Sequence, residues 1–308
     1  MNRNLTARAA MALLTVTLVV GSLAQTASAE DCAVTLKFGS LAPQGSLWLK
    51  AFTNAAREIK ERTAKEAEGT VCFKIYGGGV MGDEAAMVRK MRTGQLDAAA
   101  ITSVGMSDIN QEMLVLQLPL LFKNYQELDY VREKMHGRLT GLLEKKGFQW
   151  LGWGDVGFVY LFSNEPIAKA SDIKSTKFWV WDTDEVTKEV AKVAGVNAVY
   201  LGVPDVLPSL STGVVNAFLN SPYGAIALQW HTKAKYVTDL KLAVTIGGTV
   251  MSDKAWGKLT DKQKAIVREV SAKHHKDLLT KIRNSNDASK KKLVTAHGYT
   301  PVPVENFA

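Results

Sequence analysis

Residues 71–102 read VCFKIYGGGVMGDEAAMVRKMRTGQLDAAAIT. Val71 to Tyr76 is rich in β-branched and aromatic residues and ends at three glycines, which predicts a strand running into a loop. From Asp83 to Thr93 the apolar residues recur every three or four positions, which predicts an amphipathic helix. Ala98 to Thr102 is a second short strand. Strand, loop, helix and strand in this order imply a parallel sheet covered by helices.

The same rhythm extends outward. Upstream, Val34 to Phe38 predicts a strand and Leu47 to Lys60 a helix; downstream, after an apolar stretch, Gln126 to Lys146 predicts another helix. Around Gly147 to Phe162 the chain reads GFQWLGWGDVGFVYLF, which suggests two closely spaced apolar strands joined by Gly154-Asp155, at a crossing between domains. A second set follows, with strands at Phe178 to Trp181, Val196 to Leu201 and Val214 to Leu219, and helices at Asp182 to Ala194 and Pro204 to Thr212. A long helix from about Tyr223 to Leu240, a strand from Leu242 to Met251 and a last helix from Thr260, capped in LTDKQ, to beyond Leu293 complete the series. The length suits two α/β domains, crossed more than once by the chain.

Compartment narrows the function. Arg3 and Arg8, an apolar run from Ala9 to Leu23 and Ala27-Ser28-Ala29 fit an export signal over residues 1–29. The run is too short to span a bilayer and is interrupted by Thr15, Thr17 and Ser22. No other segment is apolar enough to insert stably in a membrane, and no cysteine follows the cleavage site directly, so the expected location is the periplasm. Cleavage would lower the formal charge from +8 to +6, since the first 29 residues hold two arginines and no acid. The basic residues are dispersed on helices; the run Lys290-Lys291-Lys292 reads as a solvated face, without the aromatic interleaving of a nucleic-acid binder. Cys32 and Cys72 each stand at the start of a predicted strand, and in an oxidising compartment they are expected to form a structural disulfide if those strands are parallel neighbours.

Catalytic patterns are weak. GGGVMG, residues 77–82, satisfies the dinucleotide fingerprint, but it follows the second strand and Asp97 precedes its strand, where the fingerprint requires an acid at the strand's end. It reads better as a glycine turn that lets the backbone approach a ligand or the other domain. The five histidines form no zinc-ligand pair, and His274-His275 reads as an exposed helix face. There is no nucleophile elbow, Walker loop or EF-hand. No metal, cofactor or enzymatic step is expected.

In order along the chain, LKFGSLAPQGSLWLKAF, MGDEAAMVRKMRTGQLDAAAI, LQLPLLFKN, GWGDVGFVYLFSN, SDIKSTKFWVW, LSTGVVNAFLNSP and AWGKLTDKQKAIVREV resemble the extracytoplasmic solute-binding subunit of TRAP transporters. The resemblance implies a two-domain periplasmic binding protein with a ligand cleft between the domains and a long connecting helix. On this reading residues 30–154 with about 241–258 form domain I. Residues about 155–240 with 259–308 form domain II, which includes the connecting and C-terminal helices. Such a protein captures a small molecule by domain closure and delivers it to membrane permease subunits.

The resemblance also locates candidate ligand residues. Family members usually clamp a carboxylate with an arginine on a strand matching STKFWVW, and here Trp179 stands at that place. A second common arginine, in a segment matching VGFVY, is Val159. An indole offers one donor and a valine none, so Trp179, with Trp181, Phe158 or Tyr160 beside it, suits an aromatic, apolar or weakly polar solute, or a cation over a ring. Asn220 matches a family asparagine that hydrogen-bonds the ligand, although Ser221 intervenes before Pro222, and Phe218 replaces a residue that is commonly polar. Trp48 and Met106 are weaker candidates from the opposite domain. Alternatively Trp179 packs in the hinge and an organic acid binds through Lys177, Gln44, Asn220 or backbone amides. A ligand-presenting sensor subunit or a periplasmic enzyme on the same fold is the other alternative.

Overall fold

The computed structural model describes residues 32–305; the expected export signal lies outside them. In chain order the strands are β1 (Cys32–Ser40), β2 (Thr70–Tyr76), β3 (Ala98–Thr102), β4 (Phe148–Ser163), β5 (Lys177–Trp181), β6 (Asn197–Leu201), β7 (Ala217–Asn220), β8 (Tyr236–Thr238), β9 (Ala243–Ser252) and β10 (Thr300–Val302). The helices are α1 (Leu47–Glu66), α2 (Glu84–Thr93), α3 (Ser103–Ser107), α4 (Tyr125–Glu144), α5 (Glu185–Ala194), α6 (Val203–Thr212), α7 (Pro222–Ala227), α8 (Asp253–Trp256) and α9 (Asp261–Thr295).

The strands form one sheet in the order β2-β1-β3-β9-β4-β7-β5-β6, with β8 pairing β4 and β10 at the side. Strands β1, β2 and β3 are parallel, as are β5, β6 and β7, because each is followed by a helix that returns the chain to the same sheet end. The two parallel sets are the halves of the molecule. Between them run β4 and β9, antiparallel over Phe148–Val159 and Ala243–Ser252. The α/β class holds.

Parallel pairing of β1 and β2 brings the two cysteines together as expected. Cys32 and Cys72 are disulfide-bonded with Cα atoms 5.8 Å apart. Burial follows the same logic: Leu36, Phe38, Val71 and Ala98 pack under Ile266, Val267 and Val270 of α9, while Leu161, Phe178, Val180 and Ala217 form a second cluster.

Three local expectations are corrected. Residues 148–163 are one strand of 16 residues, not two; register shifts at Trp150/Gly152 and Asp155/Gly157 absorb the glycines as bulges and let pairing with β9 continue. Tyr223 to Leu240 is not a long helix. It divides into α7, a 3₁₀ turn at Trp230–Lys233 and β8, because Gln229 adopts φ +62° and Val237 pairs with Phe162 of β4 and Pro301 of β10. The long helix that touches both halves is α9, with 35 residues and a length of roughly 52 Å at 1.5 Å per residue. Thr260 caps it as the sequence indicated, accepting from Gln263 N. Gln263 donates to the carbonyls of Glu68 and Gly69 at one end, and Lys290 meets Asp239 near the other.

His274-His275 is the third correction. His274 meets Glu58 of α1, and His275 is buried because α9 lies between α1 and β4. His275 Nδ1 donates to Ser271 O, so its Nε2 accepts from Thr249 Oγ1 at 3.0 Å. This neutral, buried ring has its pKa pushed down to about 4, chiefly by desolvation.

Candidate functional site

A cavity of about 200 Å³ lies where the carboxyl ends of the strands of both halves converge on β4 and β9. Its outer wall is built by β5. Strand alternation turns Phe178 and Val180 into the core of the second half and turns Trp179 and Trp181 together to the opposite face. Trp179 is only 7% exposed, and its Nε1 donates to Leu201 O at 3.0 Å. Its ring meets Trp230 edge to face at 5.0 Å and lies 6.2 Å from Trp181. Trp179, Trp181 and Trp230 thus line the cavity as a continuous aromatic wall.

Of the sequence candidates, Trp179, Trp181, Val159, Asn220 and Trp48 line the cavity. Phe158, Tyr160, Phe218 and Met106 do not. With the β4 register set by the bulge before Gly157, Val159 points in and its neighbours point away. Phe158 packs on Tyr125 with Lys241 over its ring, and Lys290 covers Tyr160. Phe218 sits behind the wall, stacked on Phe162 and edged by Trp230, and Met106 is wholly buried in α3. Lys177 and Gln44 are also absent from the lining; the Lys177 ammonium donates to Gly213 O.

The polar complement adds to Asn220 two residues that sequence reading passed over, Glu84 and Gln117. Glu84 opens α2 and is wholly buried at the cavity wall. Thr102 N, Thr102 Oγ1 and Gly105 N donate to its carboxylate at 3.0, 2.7 and 3.0 Å, yet desolvation dominates, the charge of Asp83 adds to it, and the pKa rises to about 8. Gln117 accepts from Ser103 Oγ, and Asn220 Oδ1 accepts from Ser221 N at 2.8 Å. Both residues are more than nine-tenths buried, and among the described residues no acceptor meets their amide NH2 groups. The available signal for Glu84 was the Asp-Glu pair directly after a glycine turn. Gln117 had none.

Charge is the deciding feature of the cavity. Its ionisable lining residues are Glu84, Asp155, Asp184 and His275; no lysine or arginine lines it among the described residues. The two nearby guanidiniums face the other way. Arg132 and Arg283 both bind the fully buried carboxylate of Asp155, at 2.8 and 2.7 Å, and share Asp129 behind it. Asp155 offers the cavity side only its backbone carbonyl, which accepts from Trp48 Nε1 at 3.0 Å. Among the described residues no cluster of three or more His, Cys, Asp or Glu is placed to hold a metal ion.

Residues 38–306 match the family described as bacterial extracellular solute-binding protein, family 7. The chain belongs to this family. A solute-binding protein of Chromohalobacter salexigens is 26% identical over 250 residues, covering 80% of this chain and 73% of the relative. Among solved structures, a TRAP periplasmic solute-binding protein of Haemophilus influenzae with bound L-gulonate superposes with a TM-score of 0.81 at 19% identity, over 89% of this chain and 88% of that one. An extracytoplasmic solute receptor of Bordetella pertussis that binds pyroglutamic acid gives 0.81 at 18% identity, over 88% of each chain. At these identities the likeness establishes the fold. No described helix is long and apolar enough to cross a membrane.

Proposed function

We propose that this family 7 protein captures a small uncharged solute with an aromatic or apolar body and a few polar atoms, and hands it to a membrane permease. It catalyses no reaction in this reading. The observation that carries it is the absence of any lysine or arginine from the described cavity lining, against four tryptophans and three buried acids, Glu84, Asp155 and Asp184. A carboxylate taken from water into such a site costs several kcal/mol unless charge-assisted hydrogen bonds replace its hydration. The unpaired amides of Gln117 and Asn220 suit carbonyl or hydroxyl acceptors instead. A cavity of about 200 Å³ suits a small organic solute. The solved relatives named above hold gulonate and pyroglutamic acid, so the proposal is a change of substrate class within the fold.

The test is a thermal-shift screen of refolded, ligand-stripped protein against small carboxylates and against uncharged or cationic aromatic and apolar solutes. A ligand at one hundred times its dissociation constant adds about 2.7 kcal/mol. Response to the uncharged members of the second panel, and not to the carboxylates, supports the reading. Response to carboxylates refutes it and assigns the acid to Asn220, Gln117 and backbone donors.

A further inference from the structure

Two helix N-termini in this molecule are completed by the opposite half. Helix α6 begins after Gly202, which has no side chain to cap it; Pro204 has no N–H, which leaves the N–H of Val203 to be satisfied. The acceptor is Asp83 Oδ2, at 3.1 Å, from the start of α2 in the first half. The same oxygen accepts from Trp181 Nε1 at 2.8 Å, while Oδ1 caps its own helix through Glu84 N at 2.8 Å. The approach is close enough that a Cβ on Gly202 would lie 2.6 Å from Asp83 Oδ2. On the other side of the cavity the donor and acceptor halves are exchanged. The N–H of Leu47, at the start of α1, donates to Tyr223 Oη of α7 at 2.8 Å, and the Tyr223 ring packs 4.9 Å from Trp48.

We infer that Asp83 and Tyr223 are positioning residues forming a reciprocal clasp, in which each half caps a helix of the other and the cleft closes through protein groups. Opening the cleft strips Asp83 of two donors, leaves α6 uncapped and frees the Trp181 indole from its place in the aromatic wall. Burial holds the Asp83 carboxyl above its ordinary pKa, the cost of a carboxylate that serves two helices in the closed form. A site without a cation gains no ion pair on closure, and the clasp supplies a closing force that does not depend on ligand charge. The inference does not rest on the proposed solute class, since every bond in it joins two protein groups.

The test uses ligand-stripped protein with spin labels at Glu61→Cys on α1 and Val193→Cys on α5, both exposed, and reads the distribution of distances between them. The unsubstituted clasp should give a short-distance population without added solute. Asp83→Ser keeps a cap for α2 but cannot reach across, and Gly202→Ala wedges the clasp apart by pressing a methyl on Asp83 Oδ2 without replacing either acceptor; each should lower the closed-to-open ratio roughly tenfold or more. Tyr223→Phe keeps the ring and loses the acceptor, and should lower it by roughly threefold or more. Unchanged unfolding midpoints for Gly202→Ala would show that the effect lies in closure. Ratios within twofold of the parent for Asp83→Ser and Gly202→Ala, or only long distances in the parent, would overturn the clasp.

Discussion

Replacing Asp155 by asparagine removes the one fully buried carboxylate between two guanidiniums while preserving side-chain volume and the backbone carbonyl that Trp48 uses. Arg132, 8% exposed, and Arg283, 19% exposed, would then share only Asp129, which is 43% exposed. Breaking a buried pair costs about 3–5 kcal/mol, because the surviving charge remains desolvated. Asp129 still compensates part of that charge, so the lower figure applies, about 3 kcal/mol. For a protein of this size that is a fall of roughly 6 °C in the unfolding midpoint. Urea unfolding of the mature protein, monitored by tryptophan fluorescence, measures it. Added salt should leave the loss nearly unchanged, since a buried pair is little screened. Asp129→Asn should cost much less, about 1 kcal/mol, because water reaches that carboxylate. The double variant Asp155→Asn/Arg283→Met should recover part of the loss by removing the stranded cation. A loss below about 1 kcal/mol for Asp155→Asn, or equal losses for Asp155→Asn and Asp129→Asn, would show that the network does not anchor β4 as described.

Stability should respond to pH through two buried groups of opposite sign. The folded-state pKa of Glu84 is raised from 4.5 to about 8, so the unfolded chain loses its proton first and stability falls as pH rises from about 4.5 to 8. His275 is lowered from 6.5 to about 4, so the unfolded chain gains a proton first and stability falls as pH drops from about 6.5 to 4. The two oppose each other between pH 4.5 and 6.5. Glu84→Gln should flatten the alkaline limb in a series of urea titrations and leave the acid limb in place; an unaltered alkaline limb would mean that Glu84 is ionised in the fold. Reducing the Cys32–Cys72 bridge, which spans a sequence separation of 40, should cost about 4 kcal/mol by loop-closure entropy, seen as a lower midpoint in reductant. Gly157→Ala should destabilise by more than 1 kcal/mol, because φ is +115° and the added Cβ would stand 2.4 Å from Asn286 Nδ2; calorimetry on the purified variant would show this.

The regular layers were legible because each βα unit is set by its own local pattern. Glycine after Tyr76, alternation in KFWVW and the Thr260 cap all act over a few residues, and each survives in the structure. What misled was punctuation overridden from a distance. Gly154-Asp155 looks like a turn, but the bulges at Gly152 and Gly157 keep β4 paired to a strand some 90 residues later. Tyr223 to Leu240 has helical spacing in part, but its second portion gains more by adding β8 to β4. Alternation put Trp179 and Trp181 on one face and the family resemblance pointed to Trp179 as a ligand residue, whereas choosing Val159 over Phe158 and Tyr160 required the bulge register. Asp83 was hidden for another reason. A carboxylate at a helix start reads as an ordinary solvent-facing cap, and only tertiary packing shows that the cap is buried against the other half.

The position of β9 has a consequence for how the molecule comes into being. It lies between β3 and β4, bonded to both, yet it is drawn from residues 243–252. The middle of the sheet is therefore the last large strand to leave the ribosome or a membrane channel. Until it arrives, β3 and β4 have no shared neighbour, and neither half can close its hydrogen-bond ladder. A nascent chain stalled before residue 243 would hold two unfinished sheet edges exposed to aggregation or proteolysis. Such a topology suits a chain released whole before it folds, and makes the late insertion of one strand the step on which the yield of native protein turns.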